Sequence, residues 1–189
     1  NEINLVINSS DRLGLVGVNG CGKTTLIRLI AGVEFPDKGT INTNGLEIGY
    51  LHQELRFEDN QSIKDIVTEN VKPVLSALDR YAQLNEISDF GNPGFDSEYG
   101  QLMEIIENNE GFSLEDKIRR VLLNLGLDKD LDTKAGQLSG GQIMRVGLAR
   151  LLIADFDFLI LDEPTNHIDL EANLWLREFL SQQKSGYLV

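Results

Sequence analysis

A glycine-rich loop near the amino end of the chain has the residue types and spacing that hold phosphate. It consists of Gly17, Val18, Asn19, Gly20, Cys21, Gly22, Lys23 and Thr24, and it satisfies the pattern Gly-x-x-x-x-Gly-Lys-Thr in full. Glycines let the backbone curl so that successive N–H groups point inward, and the lysine places a full charge at the β and γ oxygens of a nucleotide. The threonine hydroxyl can ligate Mg²⁺. Together with Thr25, the loop predicts a site for the phosphates and Mg²⁺ of a nucleoside triphosphate.

Two acids follow a predicted buried strand. Residues 156–161 form an almost continuous apolar run, typical of a strand covered on both faces, and Asp162 and Glu163 come directly after it. In phosphate-loop proteins such a strand delivers an acid to the metal, so we expect Asp162 to hold Mg²⁺ directly or through water. Glu163 can polarise the water that attacks the γ-phosphate. The alternative is a pair of acids at a solvated strand end, which the complete phosphate loop upstream disfavours.

A second glycine pair stands at a predicted helix start. The residues are Leu138, Ser139, Gly140, Gly141 and Gln142, and the helix after them is predicted to run to about residue 153. Bare backbone N–H groups and a serine hydroxyl at a helix N-terminus make a second anion site. One nucleotide does not need two such sites in one chain, whereas two chains that share nucleotides would need them.

The flanking sequence supplies the elements that must position these groups. Residues 12–17 are predicted as a strand, and residues 23–31 as a helix that ends before Gly32. A helix that begins at the loop adds its partial positive charge to the phosphate site. This context distinguishes the loop from a chance glycine-rich turn. Cys21 occupies a free position of the pattern, where a small space-filling role is favoured over a redox role.

The remaining chain predicts strands alternating with helices, which indicates an α/β fold with a largely parallel sheet. Residues 40–43 and 47–51 are predicted strands. Residues 65–84 are predicted as a long helix interrupted near Pro73, and residues 98–108 as a second helix. Ser113 is predicted to cap a further helix in a capping box. Helix 170–180 precedes a strand that begins near residue 187. A chain that stops inside a strand is expected to be part of a longer protein; the alternative is a natural edge strand.

The motifs, in their order, resemble those of the ATP-binding cassette (ABC) family across the whole chain apart from an acidic insertion. The resemblance adds a loop glutamine, Gln53, and a D-loop at residues 166–169. It implies an ATPase fold with a small antiparallel β subdomain and an inserted helical arm. It also implies that two cassettes sandwich two ATPs, the phosphate loop of one facing Ser139, Gly140, Gly141 and Gln142 of the other. Gln53 would then contact the metal and the attacking water, while His52 and His167 would have structural roles.

Finer features resemble the ABC-F group, whose members carry two cassettes on one chain and no membrane domain. Residues 163–169 match its D-loop form, residues 175–180 resemble its first cassette, and the long interval between Gln53 and Leu138 has room for a helical arm. The resemblance implies a ribosome-associated ATPase that needs a second cassette for full activity. Two alternatives stay open, namely the nucleotide-binding subunit of a membrane transporter and a non-hydrolysing, ATP-gated interaction module.

We divide the chain into a nucleotide-binding core at residues 1–57, an acidic helical insertion at 58–112, a helical subdomain with the signature at 113–155, and the acid strand with its D-loop and helix at 156–189. The net charge is −13, and residues 54–117 hold 15 acids against 5 bases. Such a charge opposes non-specific binding to nucleic acid or anionic membrane. A single cysteine and no signal-peptide pattern fit the reducing cytoplasm best.

Overall fold

A parallel sheet organises the core of the protein. The computed structural model describes residues 3–18, 20–87, 89–166 and 168–189. The strands within these ranges are β1 (Arg12–Leu13), β2 (Ile48–Leu51), β3 (Phe158–Leu161) and β4 (Gly186–Leu188). They lie in the order β1-β4-β3-β2, and every neighbouring pair is parallel. The central strand β3 is buried along its whole length, as its unbroken apolar sequence predicts.

Helices cover the sheet and form the insertion. The α-helices of the described residues are α1 (Lys23–Ile30), α2 (Ile63–Val67), α3 (Lys72–Ile87), α4 (Pro93–Asn108), α5 (Leu114–Asn124), α6 (Gly140–Ile153) and α7 (Leu170–Gln182). Short 3₁₀ turns lie at Glu69–Val71, Gly111–Ser113 and Ala135–Gln137. Across these ranges, no helix combines the length and the apolar character needed to cross a membrane.

The two faces of the sheet carry separate apolar clusters. On one face, Ile27 of α1 packs with Tyr50, Phe158, Ile160 and Leu188. The other face turns Leu51, Leu159 and Leu161 toward a larger cluster that includes buried residues of α2, α5, α6 and α7. Alternate residues of a strand point to opposite faces, which is why neighbours in β2 and β3 enter different clusters. The helix of the phosphate loop and the helix of the glycine pair therefore cover opposite faces.

The predicted helical insertion is a hairpin made of α3 and α4. Tyr81 and Tyr99 hold the two helices together, with ring centroids 5.2 Å apart, and Arg80 pairs with Glu98 at 2.6 Å. Helix α4 begins earlier than the predicted residue 98. Pro93 occupies the first helical position, where proline is favoured. The Asn92 side chain caps the helix by accepting a hydrogen bond from the Gly94 N–H. Residues 92–94 therefore begin α4.

Further sequence predictions differ from the structure, among them the strand at residues 12–17, of which only Arg12–Leu13 forms β1. Residues 40–43 form no strand, and the expected antiparallel β subdomain has no counterpart among the described strands; the antiparallel pairing found there is an isolated bridge between Ser62 and Lys134. Ser113 does not cap α5 through its side chain. Its backbone lies at φ −102° and ψ 2° in a 3₁₀ turn, away from the extended conformation of an N-cap, and its hydroxyl donates to the Glu110 carbonyl at 2.9 Å.

Candidate nucleotide site

The parallel sheet places three predicted groups at one edge. Since every strand runs in the same direction, the carboxyl ends of β1, β2 and β3 meet at this edge, the position at which α/β proteins bind ligands. The phosphate loop follows β1, Gln53 follows β2, and Asp162 and Glu163 follow β3. The hydrogen bonds between β1 and β4 continue beyond the end of β1, because the Leu15 N–H donates to the Val189 carbonyl at 2.7 Å. The loop thus begins on the sheet itself.

The phosphate loop bends through glycines that a side chain would strain. Gly20 and Gly22 have φ angles of 79° and 100°, and Gly22 caps α1 without any side-chain hydrogen bond. The first turn of α1 contains no acidic residue, so no carboxylate of the helix itself competes with a bound anion for the N–H groups at its start. Asn19, which is also a predicted site residue, lies outside the described residues. The start of α1 is therefore arranged as an anion site that local side chains leave open.

Lys23 and Cys21 both lie close to the start of the loop at Gly17. The Lys23 ammonium donates to the carbonyl of Gly17 at 2.9 Å and to that of Val18 at 3.3 Å. A β-carbon at Gly17 would lie 2.8 Å from the Cys21 sulfur, which is closer than such contacts occur. A side chain at position 17 would therefore require the exposed Cys21 side chain to move.

Asp162 has the properties of a metal ligand. It is 4% exposed, and its Oδ2 atom has no hydrogen-bond partner among the described residues. A buried carboxylate oxygen without a donor is costly unless a ligand compensates for it, and carboxylate oxygens are the ligands that Mg²⁺ prefers. Burial raises the pKa of the neighbouring Tyr50 phenol, and the charge of Asp162 acts in the same direction. The residues present here therefore fit Mg²⁺.

Glu163 is held in place by the turn that follows it. Its φ angle of 51° lies in the left-handed region, which costs a non-glycine residue about 1–3 kcal/mol. Asn166 donates from its side-chain amide to Glu163 Oε2 at 2.6 Å and from its backbone to the Glu163 carbonyl at 3.3 Å. Sequence reasoning missed Asn166 as the partner of this carboxylate; the three-residue spacing within a tight turn was the available signal. His167, the next residue, lies outside the described ranges.

Gln53 is exposed just beyond β2, next to a partly buried histidine. His52 packs on Tyr50 with ring centroids 4.2 Å apart. Burial lowers the pKa of His52 below its ordinary value, and the positive charges of Arg28 and Arg150 lower it further. A neutral imidazole at this position packs as an aromatic side chain, in keeping with the structural role predicted for His52.

We expect His52 to make the protein less stable as the pH falls through about 6.5, the ordinary histidine pKa. The folded state binds the proton more weakly than the unfolded state, so the unfolded state gains protons first and the free energy of unfolding decreases. Urea unfolding at pH 7.5 and pH 5.5 measures this loss in the wild type and in His52→Gln. An equal loss in both proteins would contradict the prediction.

The glycine-pair motif caps its own helix. The Ser139 hydroxyl accepts from the Gln142 N–H at 3.3 Å, and the Gln142 side chain accepts from the Ser139 N–H at 2.9 Å. Ser139 and Gly140 are exposed, Gly141 and Gln142 are half-buried, and a β-carbon at Gly140 would meet no atom within 4 Å. The motif therefore forms a helix N-terminus that Ser139 and Gln142 cap and that remains exposed to solvent at Ser139 and Gly140. It belongs to α6, on the sheet face opposite the phosphate-loop helix.

Comparisons with known proteins agree with this arrangement. The sequence profile of the ABC transporter family matches residues 1–166. The energy-dependent translational throttle protein EttA of Haemophilus influenzae is 38% identical over 183 residues, which are 95% of this chain and 33% of that protein. ATP-binding protein Uup of the same organism is 38% identical over 178 residues, 93% of this chain and 27% of that protein. This chain therefore spans a third or less of the length of these relatives.

A solved structure shares the fold. The ATP-binding subunit of an ABC transporter superposes with a TM-score of 0.68 at 20% identity, over 97% of this chain and 69% of that chain. EttA and Uup are ABC-F proteins, which confirms the resemblance predicted from residues 163–169. The family profile, the relatives and the shared fold lead to one conclusion: the chain belongs to the ATP-binding cassette family.

Proposed function

We propose that this chain is an ATP-hydrolysing cassette of an ABC-F-type protein, and that it works with a second cassette. The observation that carries the proposal is the edge of the sheet at which the phosphate loop, the buried Asp162 carboxylate and the Asn166-held Glu163 carboxylate come together. A cation site and a base beside a phosphate cradle are the parts that phosphoryl transfer to water requires.

Each residue of the edge has a role in this proposal. Lys23 and the N–H groups of the loop bind the phosphates. Thr24 and Asp162 would hold Mg²⁺, which would neutralise developing charge on the phosphate oxygens. Glu163 accepts a proton from the attacking water, and Gln53 would help to hold the metal and orient that water. The left-handed backbone of Glu163 and its bond to Asn166 support this role, because they fix the carboxylate before substrate arrives.

The position of the glycine-pair motif supports a two-cassette site. Ser139 begins α6, which covers the sheet face opposite α1, so we expect its helix N-terminus to serve a phosphate site other than this chain's own. Its exposed N–H groups instead fit the γ-phosphate of a nucleotide held by another cassette. A head-to-tail pair would complete both sites at once. The second cassette lies on the same polypeptide in this proposal, as in ABC-F proteins.

The relatives suggest where such a pair acts. EttA is named as a translational throttle protein, and we extend this to a cytoplasmic role of the present protein on the ribosome. The charge of residues 54–117, which hold 15 acids and 5 bases, does not suit bare RNA. The α3–α4 hairpin is therefore expected to meet basic protein surface if it contacts the ribosome.

Ribosome sedimentation tests the cellular part of the proposal. The full-length protein carrying Glu163→Gln is incubated with ribosomes and ATP, with ADP, or without nucleotide, and each mixture is centrifuged through sucrose. We expect co-sedimentation that depends on ATP. Co-purification of the full-length protein from cells with a membrane-protein partner would instead favour a transporter subunit. Binding that is the same in all three mixtures would contradict ATP control.

The second cassette can be tested separately. We expect residues 1–189 alone to hydrolyse ATP more slowly per molecule than the full-length protein, because Ser139 and its neighbours act on a nucleotide held elsewhere. The rate per molecule should rise with the concentration of the isolated chain as pairs form. Turnover that is independent of concentration and equal to that of the full-length protein would contradict the shared site.

A further inference from the structure

A tyrosine of β2 shares a face of the sheet with the proposed metal ligand. Tyr50 lies opposite Ile160 in the parallel pairing of β2 with β3, and both side chains pack with Ile27 of α1. Asp162 comes two residues after Ile160, so the alternation of side chains places it on the same face. Neighbouring strands lie about 4.8 Å apart and alternate residues of a strand about 6.6 Å apart, so the Cα atoms of Tyr50 and Asp162 are about 8 Å apart. A tyrosine and an aspartate side chain can bridge such a distance.

Each of these two side chains has a buried polar atom without a partner. Tyr50 is 9% exposed and Asp162 is 4% exposed. Within the part of the chain that the structure describes, neither the Tyr50 hydroxyl nor Asp162 Oδ2 has a hydrogen-bond partner. Proteins satisfy the large majority of their buried polar atoms, so two such atoms on one face of a sheet require an explanation. A phenol can donate a hydrogen bond and a carboxylate accepts one, so the two groups complement each other.

Arg28 and His52 both border the Tyr50 phenol. Burial raises the pKa of Tyr50, Arg28 lowers it, and the charge of Asp162 raises it again, so all three groups lie within electrostatic reach. A guanidinium only donates hydrogen bonds, so Arg28, which pairs with Glu34 at 3.3 Å, cannot accept the hydroxyl proton. The His52 ring packs on the phenol with centroids 4.2 Å apart and restricts its orientation. The Asp162 carboxylate is therefore the group of this cluster best suited to accept the proton.

We propose that Tyr50 is a positioning residue for the metal site, and that its hydroxyl donates a hydrogen bond to the Asp162 carboxylate when Mg-ATP is bound. The inference rests on the proposed function, in which Asp162 holds Mg²⁺. The two oxygens of a carboxylate offer about four acceptor positions, so Asp162 can serve the ion and the hydroxyl at once. Carboxylates that bind metals are themselves hydrogen-bonded, and these outer partners orient the ligand and set its metal affinity. Tyr50 thereby fixes the direction in which Asp162 presents its oxygen to the ion.

The stability of the nucleotide-free protein gives the first test. Tyr50→Phe keeps the ring and removes a buried donor that has no acceptor, and an unpaired buried polar group destabilises the folded state. We therefore expect the urea midpoint of the full-length variant to equal that of the wild type or to exceed it. A lower midpoint would show that the hydroxyl already has a stabilising partner without nucleotide, and it would overturn the inference.

The dependence of ATP binding on Mg²⁺ gives the second test. Full-length protein carrying Glu163→Gln, with and without Tyr50→Phe, is titrated calorimetrically with ATP in Mg²⁺ and in EDTA. We expect Tyr50→Phe to raise the Kd for ATP about tenfold in Mg²⁺, since outer partners of metal ligands contribute about 10–100-fold to metal affinity. The Kd in EDTA should be unchanged, because Lys23 and the loop are intact. Tyr187→Phe is the matched control: it removes the hydroxyl of a half-buried tyrosine of β4 on the opposite face, and it should change neither Kd.

Asp162→Asn in the same background separates this inference from the proposed function. It should weaken binding in Mg²⁺, and Tyr50→Phe should weaken it little further in the double variant, because the hydroxyl acts through this carboxylate. If Asp162→Asn weakens binding in Mg²⁺ and Tyr50→Phe does not, the metal site stands and the inference falls. If neither variant changes the effect of Mg²⁺, the proposed metal site and the inference are both refuted. Equal weakening by Tyr50→Phe in Mg²⁺ and in EDTA would mean that Tyr50 only supports the fold, which also overturns the inference.

Discussion

Replacing Glu163 with glutamine in the full-length protein is expected to lower kcat for ATP hydrolysis by about 10²–10⁴-fold, the usual contribution of a general base. ATP affinity should change little. An amide of the same shape cannot accept the proton of the attacking water, whereas Lys23, the loop and Asp162 still bind Mg-ATP. The variant should therefore retain nucleotide that the wild type converts.

The fold should tolerate this substitution. Asn166 donates to one oxygen of the Glu163 side chain, and the oxygen of a glutamine amide can accept the same bond. The left-handed backbone at this position is equally strained in both residues. Loss of turnover would then come from chemistry and not from unfolding.

Single-turnover hydrolysis and equilibrium ATP binding separate the two effects. Glu178→Gln is the matched control, since Glu178 is an exposed glutamate on α7, away from the edge of the sheet. It should leave both quantities unchanged. Hydrolysis by Glu163→Gln at the wild-type rate would contradict the assignment of Glu163 as the base.

Most of the fold follows from local signals in the sequence. Helices α1, α6 and α7 begin where predicted because a glycine or a capping side chain marks each start, and β3 was evident from its apolar run. The predictions of a strand at residues 40–43 and of a longer β1 were wrong, because strand formation depends on distant partners that a local pattern does not contain. The parallel order of the strands then brings Gln53 and Asp162 to the same edge.

The finer features of the site lie beyond sequence reasoning. The pattern predicted an acid at Asp162, but its burial and its unpartnered oxygen depend on the packing of β3 between its neighbours. The left-handed backbone of Glu163 belongs to a turn whose sequence, with a proline after it, does not require that conformation. The contact of Arg145 with Asp169 joins residues on two helices, and no spacing rule predicts it.

Replacing Lys23 with methionine is expected to weaken ATP binding by about 10²–10⁴-fold. Two hydrogen bonds from a charged donor to phosphate oxygens are each worth about 1.5–3 kcal/mol, and 1.4 kcal/mol corresponds to a factor of ten in affinity. Without nucleotide, the same ammonium bridges the carbonyls of Gly17 and Val18. The methionine therefore removes the charge and the contacts that shape the loop before ATP arrives.

Stability and binding should respond differently to this change. The two carbonyls are exposed, so water replaces the lysine there and the free energy of unfolding should change by less than about 1 kcal/mol. Lys38→Met, in the exposed turn after α1, removes the same charge and should leave ATP affinity nearly unchanged. Calorimetric titration with Mg-ATP measures all three proteins. Equal affinities in the two methionine variants would mean that Lys23 acts only through net charge, and the loop would then not be the phosphate site.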